Sequence, residues 1–215
     1  MRITITSDFI CPWCYIGEKR LAQALGSIPS DIEVELVWLP FELNPDMPSE
    51  GMDRRTYRSR KFGSWEYSRA MDAKTVLAGA ADGAVFDYEA IARTPNTFEA
   101  HRLSWLARRK GKQRVFVEAT LKGYFADGRD IGSRDVLAEL ASEVGLDRRL
   151  VRDFLASDEA VDRVRALEQG AYNRRVEGVP HFDIEGRIIA GAQSPEVIRQ
   201  TILQVAGRSA PIVAP

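Results

Sequence analysis

The chain holds only two cysteines, Cys11 and Cys14, in the order Cys-Pro-Trp-Cys. At i and i+3 of a helix the two sulfurs occupy neighbouring positions on one turn, close enough to bridge. Pro12 is suited to the first helical position, so the spacing predicts a helix starting at Cys11-Pro12. Cys11 then meets unsatisfied N–H groups and the positive end of the helix dipole, both of which favour a thiolate. Cys14 lies one turn further in. This arrangement suits thiol–disulfide exchange, with Cys11 as nucleophile, Cys14 as resolving thiol and Trp13 as an apolar rim beside the sulfur. Zinc is the main competitor for a bare Cys-x-x-Cys. The two cysteines with His101 and His181 would make four ligands, but the histidines lie 80 residues apart. The setting of the motif between strand and helix favours redox work, and no metal is expected. A structural staple is equally poor, because it would close a very short loop in a chain large enough to need none.

The elements that must position these thiols follow from patterning. Ile3 and Ile5 alternate with Thr4 and Thr6 as a strand. The predicted helix carries Ile16, Leu21, Ala24 and Leu25, and Gly26 and Pro29 end it. Ile32 to Leu39 has strong β character and stops at Pro40. Strand, helix and strand read as a right-handed parallel βαβ unit. From Asp53 to Arg175 the signals are mostly helical, with Gly51, Gly79 and Gly83 marking turns. Thr94-Pro95 reads as an N-cap with a first-turn proline. Val117, Leu121, Tyr124 and Phe125 share one helix face. Ser133 caps a helix burying Val136, Leu137, Leu140 and Val144 and closed by Gly145, and Ser157 caps another carrying Val161, Val164 and Glu168. His181 to Ile184 and Arg187 to Ala190 then flank a Glu185-Gly186 turn, as in a hairpin. Ser194-Pro195-Glu196 opens a last helix with Ile198, Ile202 and Val205 on one face, and Ser209 to Pro215 read as a loose tail. The expected fold is α/β. Residues 1–52 and 176–215 form one discontinuous sheet domain, and residues 53–175 form an all-helical insertion.

Composition narrows the function classes. Thirty basic residues face 31 acidic ones, for a net charge of −1. That balance supplies no global field for nucleic acid or an anionic membrane. No apolar run approaches the ~20 residues of a membrane span. Met1 and Arg2 run straight into strand-like residues where a secretory leader would need a long apolar stretch. The expected location is the cytoplasm, where thiols stay mostly reduced.

Gly178-Val179-Pro180, just before the hairpin, is the second chemical element. Thioredoxin-like sites set a cis-proline opposite the cysteines, and the residue before it offers backbone groups to an extended substrate. An ordinary strand-entry proline is the plain alternative. The upstream dithiol and downstream hairpin favour the cis reading.

Three segments, SDFICPWCYIG, NTFEAHRL and GVPHFDIEGRIIAGAQSPE, together resemble the DsbA-like oxidoreductases, especially their FrnE-like branch. That branch is related to 2-hydroxychromene-2-carboxylate isomerases and kappa-class glutathione transferases, and the resemblance covers nearly the whole chain in order. It implies a thioredoxin fold with an inserted helical domain, Cys11 as attacking cysteine, Cys14 as its partner and Pro180 as the cis-proline. Expected partners are protein or peptide thiols and disulfides, with glutathione as a candidate co-substrate and no other cofactor. Pro12, Trp13, Val179 and His181 are the candidate substrate contacts. Two departures stand out. The glutathione-dependent relatives typically carry serine where Cys11 stands and lack the paired cysteine, so the pair argues for disulfide exchange. His181 replaces the apolar residue, often phenylalanine, that follows the proline in the family, and it would raise the thiolate fraction or simply face the sheet. Phe98, His101 and Trp105 form an apolar stripe, which makes His101 a packed histidine. Asn96-Thr97 falls in the second segment, and Phe62, Trp65 and Tyr67 read as core packing, with a substrate groove as the alternative. Two other readings compete: an isomerase or transferase using Cys11 in place of serine, and a redox-inactive holdase binding peptides on the apolar rim.

Overall fold

The computed structural model describes residues 1–208, so the expected loose tail lies outside the described residues. The first unit is β1 (Arg2–Ser7), α1 (Pro12–Gly26) and β2 (Glu35–Pro40). Ile3 and Ile5 are buried, while Arg2 is exposed and Thr4 half-buried. α1 starts where the sequence predicts. Cys11 is the extended N-cap residue, with φ −88° and ψ 112°, and Pro12 opens the helix. β2 is shorter than the Ile32–Leu39 expectation at its start and runs one residue further, to Pro40. Its parallel register pairs Arg2 with Glu35, so residues before Glu35 find no strand beside them.

Seven helices follow: α2 (Arg54–Phe62), α3 (Trp65–Gly79), α4 (Phe98–Arg109), α5 (Gln113–Phe125), α6 (Arg134–Glu143), α7 (Arg148–Ala156) and α8 (Val161–Asn173). A two-residue ladder, β3 (Met52–Asp53) with β4 (Arg93–Thr94), interrupts them. The expected cap at Thr94 is therefore a strand residue. α4 begins at Phe98, whose N–H is received by the Asn96 side-chain oxygen at 2.9 Å. Ser157 also differs from expectation. Its hydroxyl donates to the Phe154 carbonyl at 2.8 Å, closing α7, and α8 opens after Ala160 in a left-handed conformation. Ser133 does cap α6, receiving the Val136 N–H at 3.5 Å. The α5 face of Val117, Leu121, Tyr124 and Phe125 is buried throughout.

The chain closes with β5 (His181–Ile184), β6 (Arg187–Ala190) and α9 (Pro195–Val205). Glu185 and Gly186 both take positive φ, 49° and 89°, as a two-residue hairpin turn requires. The Asp183 carboxylate receives the Gly186 N–H at 2.7 Å. β5 pairs antiparallel with β1, giving a four-stranded sheet in the order β2-β1-β5-β6. α1 and α9 pack together on one face of this sheet, and α4, α5 and α8 pack at β2. One continuous apolar cluster runs from Ile3, Phe182 and Ile184 in the sheet, through Ile16 and Leu21, to Leu103, Phe116, Leu137 and Phe154 in the helices.

Candidate active site

The first turn of α1 holds both thiols. The Cys11 N–H donates to the Asp8 carbonyl at 3.2 Å, and the Cys11 carbonyl receives the Cys14 N–H at 3.0 Å. Both side chains are free thiols, and both are buried. The Cys11 thiol donates to the Val179 carbonyl at 3.5 Å, across 168 positions of sequence. Burial is the largest cause pushing the Cys14 thiol well above its ordinary value. A hydrogen bond with Cys11 and the Cys11 charge push the same way, and a bond from the Asp8 backbone pulls it down. Cys14 is therefore held as a protonated thiol.

The Val179–Pro180 peptide is cis. Pro180 rests on α1 at Gly17, where an added Cβ would come within 2.9 Å of the proline Cγ and 3.2 Å of the Phe182 ring. A glycine one turn past the second cysteine is therefore what lets β5 approach the dithiol helix. Trp13 projects outward and is 41% exposed. His181 pairs with Thr6 and Ala190 and is half-buried. Side chains alternate along β5, so His181 faces away from the α1 side that Phe182 occupies. His101 is buried against the Phe9 ring, and its Nε2 stands 3.4 Å from an Asp8 carboxylate oxygen.

Cys11, Pro12, Trp13 and Val179 line one side of a pocket of about 460 Å³, and His181 is not in its wall. α2 and α3 form the opposite wall. Arg54, Arg58, Lys61 and Lys74 reach it, with Asp72 as the one acidic lining residue. Asp72 accepts from both Arg54 and Arg58 at 2.6 Å. Lys61 donates to Asn44 and to the Tyr57 hydroxyl at 2.8 Å each. Phe62 and Tyr67 also line the pocket, whereas Trp65 stacks beneath the Arg54 and Arg55 guanidinium groups. Sequence reasoning passed over this basic wall. Its signal was present, since Arg54, Arg58 and Lys61 fall at i, i+4 and i+7 on one helix face. Asp8 was also missed, and nothing in its local pattern marks it.

The sheet order, the dithiol at the head of α1 and the Pro180 segment set against it define a thioredoxin-like dithiol protein. Residues 2–203 match the family described as DSBA-like thioredoxin domain, and the chain belongs to that family. A probable DsbA oxidoreductase from Streptomyces coelicolor is 34% identical, with a TM-score of 0.87 over 100% of this chain and 94% of that one. A 2-hydroxychromene-2-carboxylate isomerase structure is 15% identical, with a TM-score of 0.74 over 98% of this chain and 100% of that one. The cytosolic disulfide reductase DsbM from Pseudomonas aeruginosa, solved with GSH, is 16% identical. Its TM-score is 0.68 over 97% of this chain and 100% of that one. The last two show a shared fold.

Proposed function

We propose that the protein is a thiol–disulfide oxidoreductase in which Cys11 attacks and Cys14 resolves. The observation that carries this is the asymmetry of the pair: Cys11 opens into the pocket, while Cys14 lies behind it, buried and protonated. The Cys11 thiolate attacks one sulfur of a substrate disulfide, forming a mixed disulfide and releasing the first substrate thiolate. Cys14 then loses its proton and attacks the Cys11 sulfur. The Cys11–substrate bond breaks, the second thiolate leaves with the electron pair, and Cys11–Cys14 is left oxidised. The reverse sequence oxidises a dithiol. Trp13 and Pro12 rim the entrance, and Val179 lies beside the reacting sulfur.

The basic wall supports small acidic thiols and disulfides, with glutathione as the leading candidate, alongside protein substrates. Lys61 and Lys74 suit carboxylates at a distance from the sulfur. The glutathione-bound relative agrees with this choice of substrate class.

Reduction of insulin and of glutathione disulfide, measured in the wild type, in each single cysteine variant and in the double variant, tests the reading. Cys11→Ser is expected to be inactive. Cys14→Ser is expected to be severely impaired and to accumulate mixed disulfides on Cys11. Substantial activity in Cys11→Ser, with tight glutathione binding and no disulfide formed, would replace exchange with glutathione-dependent isomerase or transferase chemistry. Peptide binding that survives loss of both cysteines, without any exchange activity, would establish a holdase.

A further inference from the structure

Asn96 belongs to one of the three segments that carry the family resemblance, yet disulfide exchange gives it no part. It lies between β4 and α4 and is half-buried. Both ends of its amide are committed. The side-chain oxygen receives the Phe98 N–H at 2.9 Å, and Nδ2 donates to the Met47 carbonyl at 2.7 Å, across 49 positions of sequence. An amide suits this double duty because it accepts on one side and donates on the other.

Met47 closes a tight turn. Its N–H donates to the Asn44 carbonyl at 3.1 Å, and Pro45 takes the second position, where its fixed φ favours such a turn. Asn44 lines the pocket that Cys11 opens into. Its side-chain oxygen receives the Lys61 ammonium at 2.8 Å and the Tyr57 hydroxyl. Bonds therefore run from Asn96 through the Met47–Asn44 turn to Lys61 on the basic wall. The ends of this strap are fixed separately. The Leu43 N–H donates to Asp8 at 2.7 Å, and Arg93 donates to the Glu50 carbonyl at 3.1 Å. Between them, residues 44 to 50 bury only Met47, which makes the Asn96 bond the anchor of the middle. Lys61 depends on that middle, because it forms no ion pair among the described residues. Its remaining contacts are the hydroxyl and ring of Tyr57.

We propose that Asn96 is a positioning residue for the substrate site. By pinning the Asn44–Met47 turn, it fixes the Lys61 ammonium where a carboxylate of glutathione is received. A lysine has many rotamers, and one held in place presents its charge at a set distance from the sulfur. Asn96 touches neither the sulfurs nor the substrate. The inference rests on glutathione binding at the basic wall.

The test is the affinity for S-methylglutathione, which cannot exchange, measured by calorimetry in wild type, Asn96→Ser, Lys61→Met and the double variant. Serine keeps a neutral acceptor for the Phe98 N–H and is too short to reach the Met47 carbonyl. Loss of one such bond corresponds to roughly fivefold in a binding constant, so Kd is expected to rise about fivefold. On the Lys61→Met background, Asn96→Ser is expected to change Kd by less than about twofold, because its effect passes through Lys61. Insulin reduction, which does not use the wall, is expected to stay within about twofold of wild type. A merely structural role would lower insulin reduction too and weaken binding equally on both backgrounds. Either result overturns the proposal, as does unchanged affinity in Asn96→Ser or a wild type that does not bind the probe. If Asn96→Ser fails to fold, Asn96→Asp, which keeps the acceptor and the size but not the donor, is judged on the same scale. Failure of both to fold overturns the proposal. Failure of the exchange reading looks different: wild-type protein would bind the probe yet reduce neither glutathione disulfide nor insulin, and the binding comparison would decide alone.

Discussion

Replacing Glu18 by glutamine should stabilise the protein at neutral and alkaline pH and leave it nearly unchanged in acid. Glu18 lies on α1, one turn beyond Cys14, and is 5% exposed. Burial raises its carboxyl from 4.5 to about 7. Lys19, 3.4 Å away, pulls it down, and Glu118 on α5 pushes it up. In the unfolded chain the carboxyl titrates near 4.5, whereas the folded protein keeps its proton to about 7. Between those values the native state holds more protons than the unfolded state, so stability falls as pH rises and levels off above about 7. At 1.36 kcal/mol per pH unit the full effect is about 3 kcal/mol. Glutamine keeps the shape and a donor toward Glu118 but carries no charge. We expect Glu18→Gln to gain about 2–3 kcal/mol at pH 8, or roughly 5–10 °C in midpoint for a chain of this size, and little near pH 4. Urea unfolding of both proteins at several pH values measures the difference, in which the contributions of other carboxylates cancel. An equal gain at every pH, or no gain at pH 8, would refute the reasoning.

Two further outcomes follow from the site. Gly17→Ala places a methyl group 2.9 Å from the Pro180 Cγ. It should cost about 1–3 kcal/mol in overpacking and slow exchange by moving Val179 off Cys11, as a thermal melt and a disulfide-reduction assay will read. The double variant Lys61→Gln/Lys74→Gln removes two charges from the pocket wall. It should raise KM for glutathione disulfide roughly tenfold, equivalent to about 1.4 kcal/mol, with little change in insulin reduction. Equal effects on the two substrates would remove the carboxylate role of that wall.

The parts legible in the sequence were those coded within a few residues of each other. Cys11-Pro12 announces the start of α1, Glu185-Gly186 the hairpin, and Ser194-Pro195 the start of α9, where Ser194 receives the Val197 N–H at 3.3 Å. α7 escaped notice because its arginine-rich stretch follows closely on α6. Yet Asp147 caps it at 2.7 Å, and Val151, Phe154 and Leu155 are buried. Thr94 and Ser157 are the residue types that cap helices, but Thr94 is drawn into the ladder opposite Met52 and the Ser157 hydroxyl closes α7 on the Phe154 carbonyl instead. The approach of Asp8 to His101 joins residues 93 positions apart, and that of Cys11 to Val179 joins residues 168 apart. No local pattern encodes such meetings. Only the strand β5, slotted in beside β1, brings the second of them about.

That slotting has a consequence for how the protein is made. β1 has β2 on one side from early in synthesis, but its other neighbour is encoded almost at the end of the chain. Ribosomes deliver the N-terminus first. Cys11 and Cys14 therefore leave the exit tunnel long before Val179 and Pro180 exist, and a nascent chain carries the thiol pair without the strand that covers it. For most of translation the reactive end waits on the late arrival of its cover, and long-range pairing of this kind is the slow kind to complete.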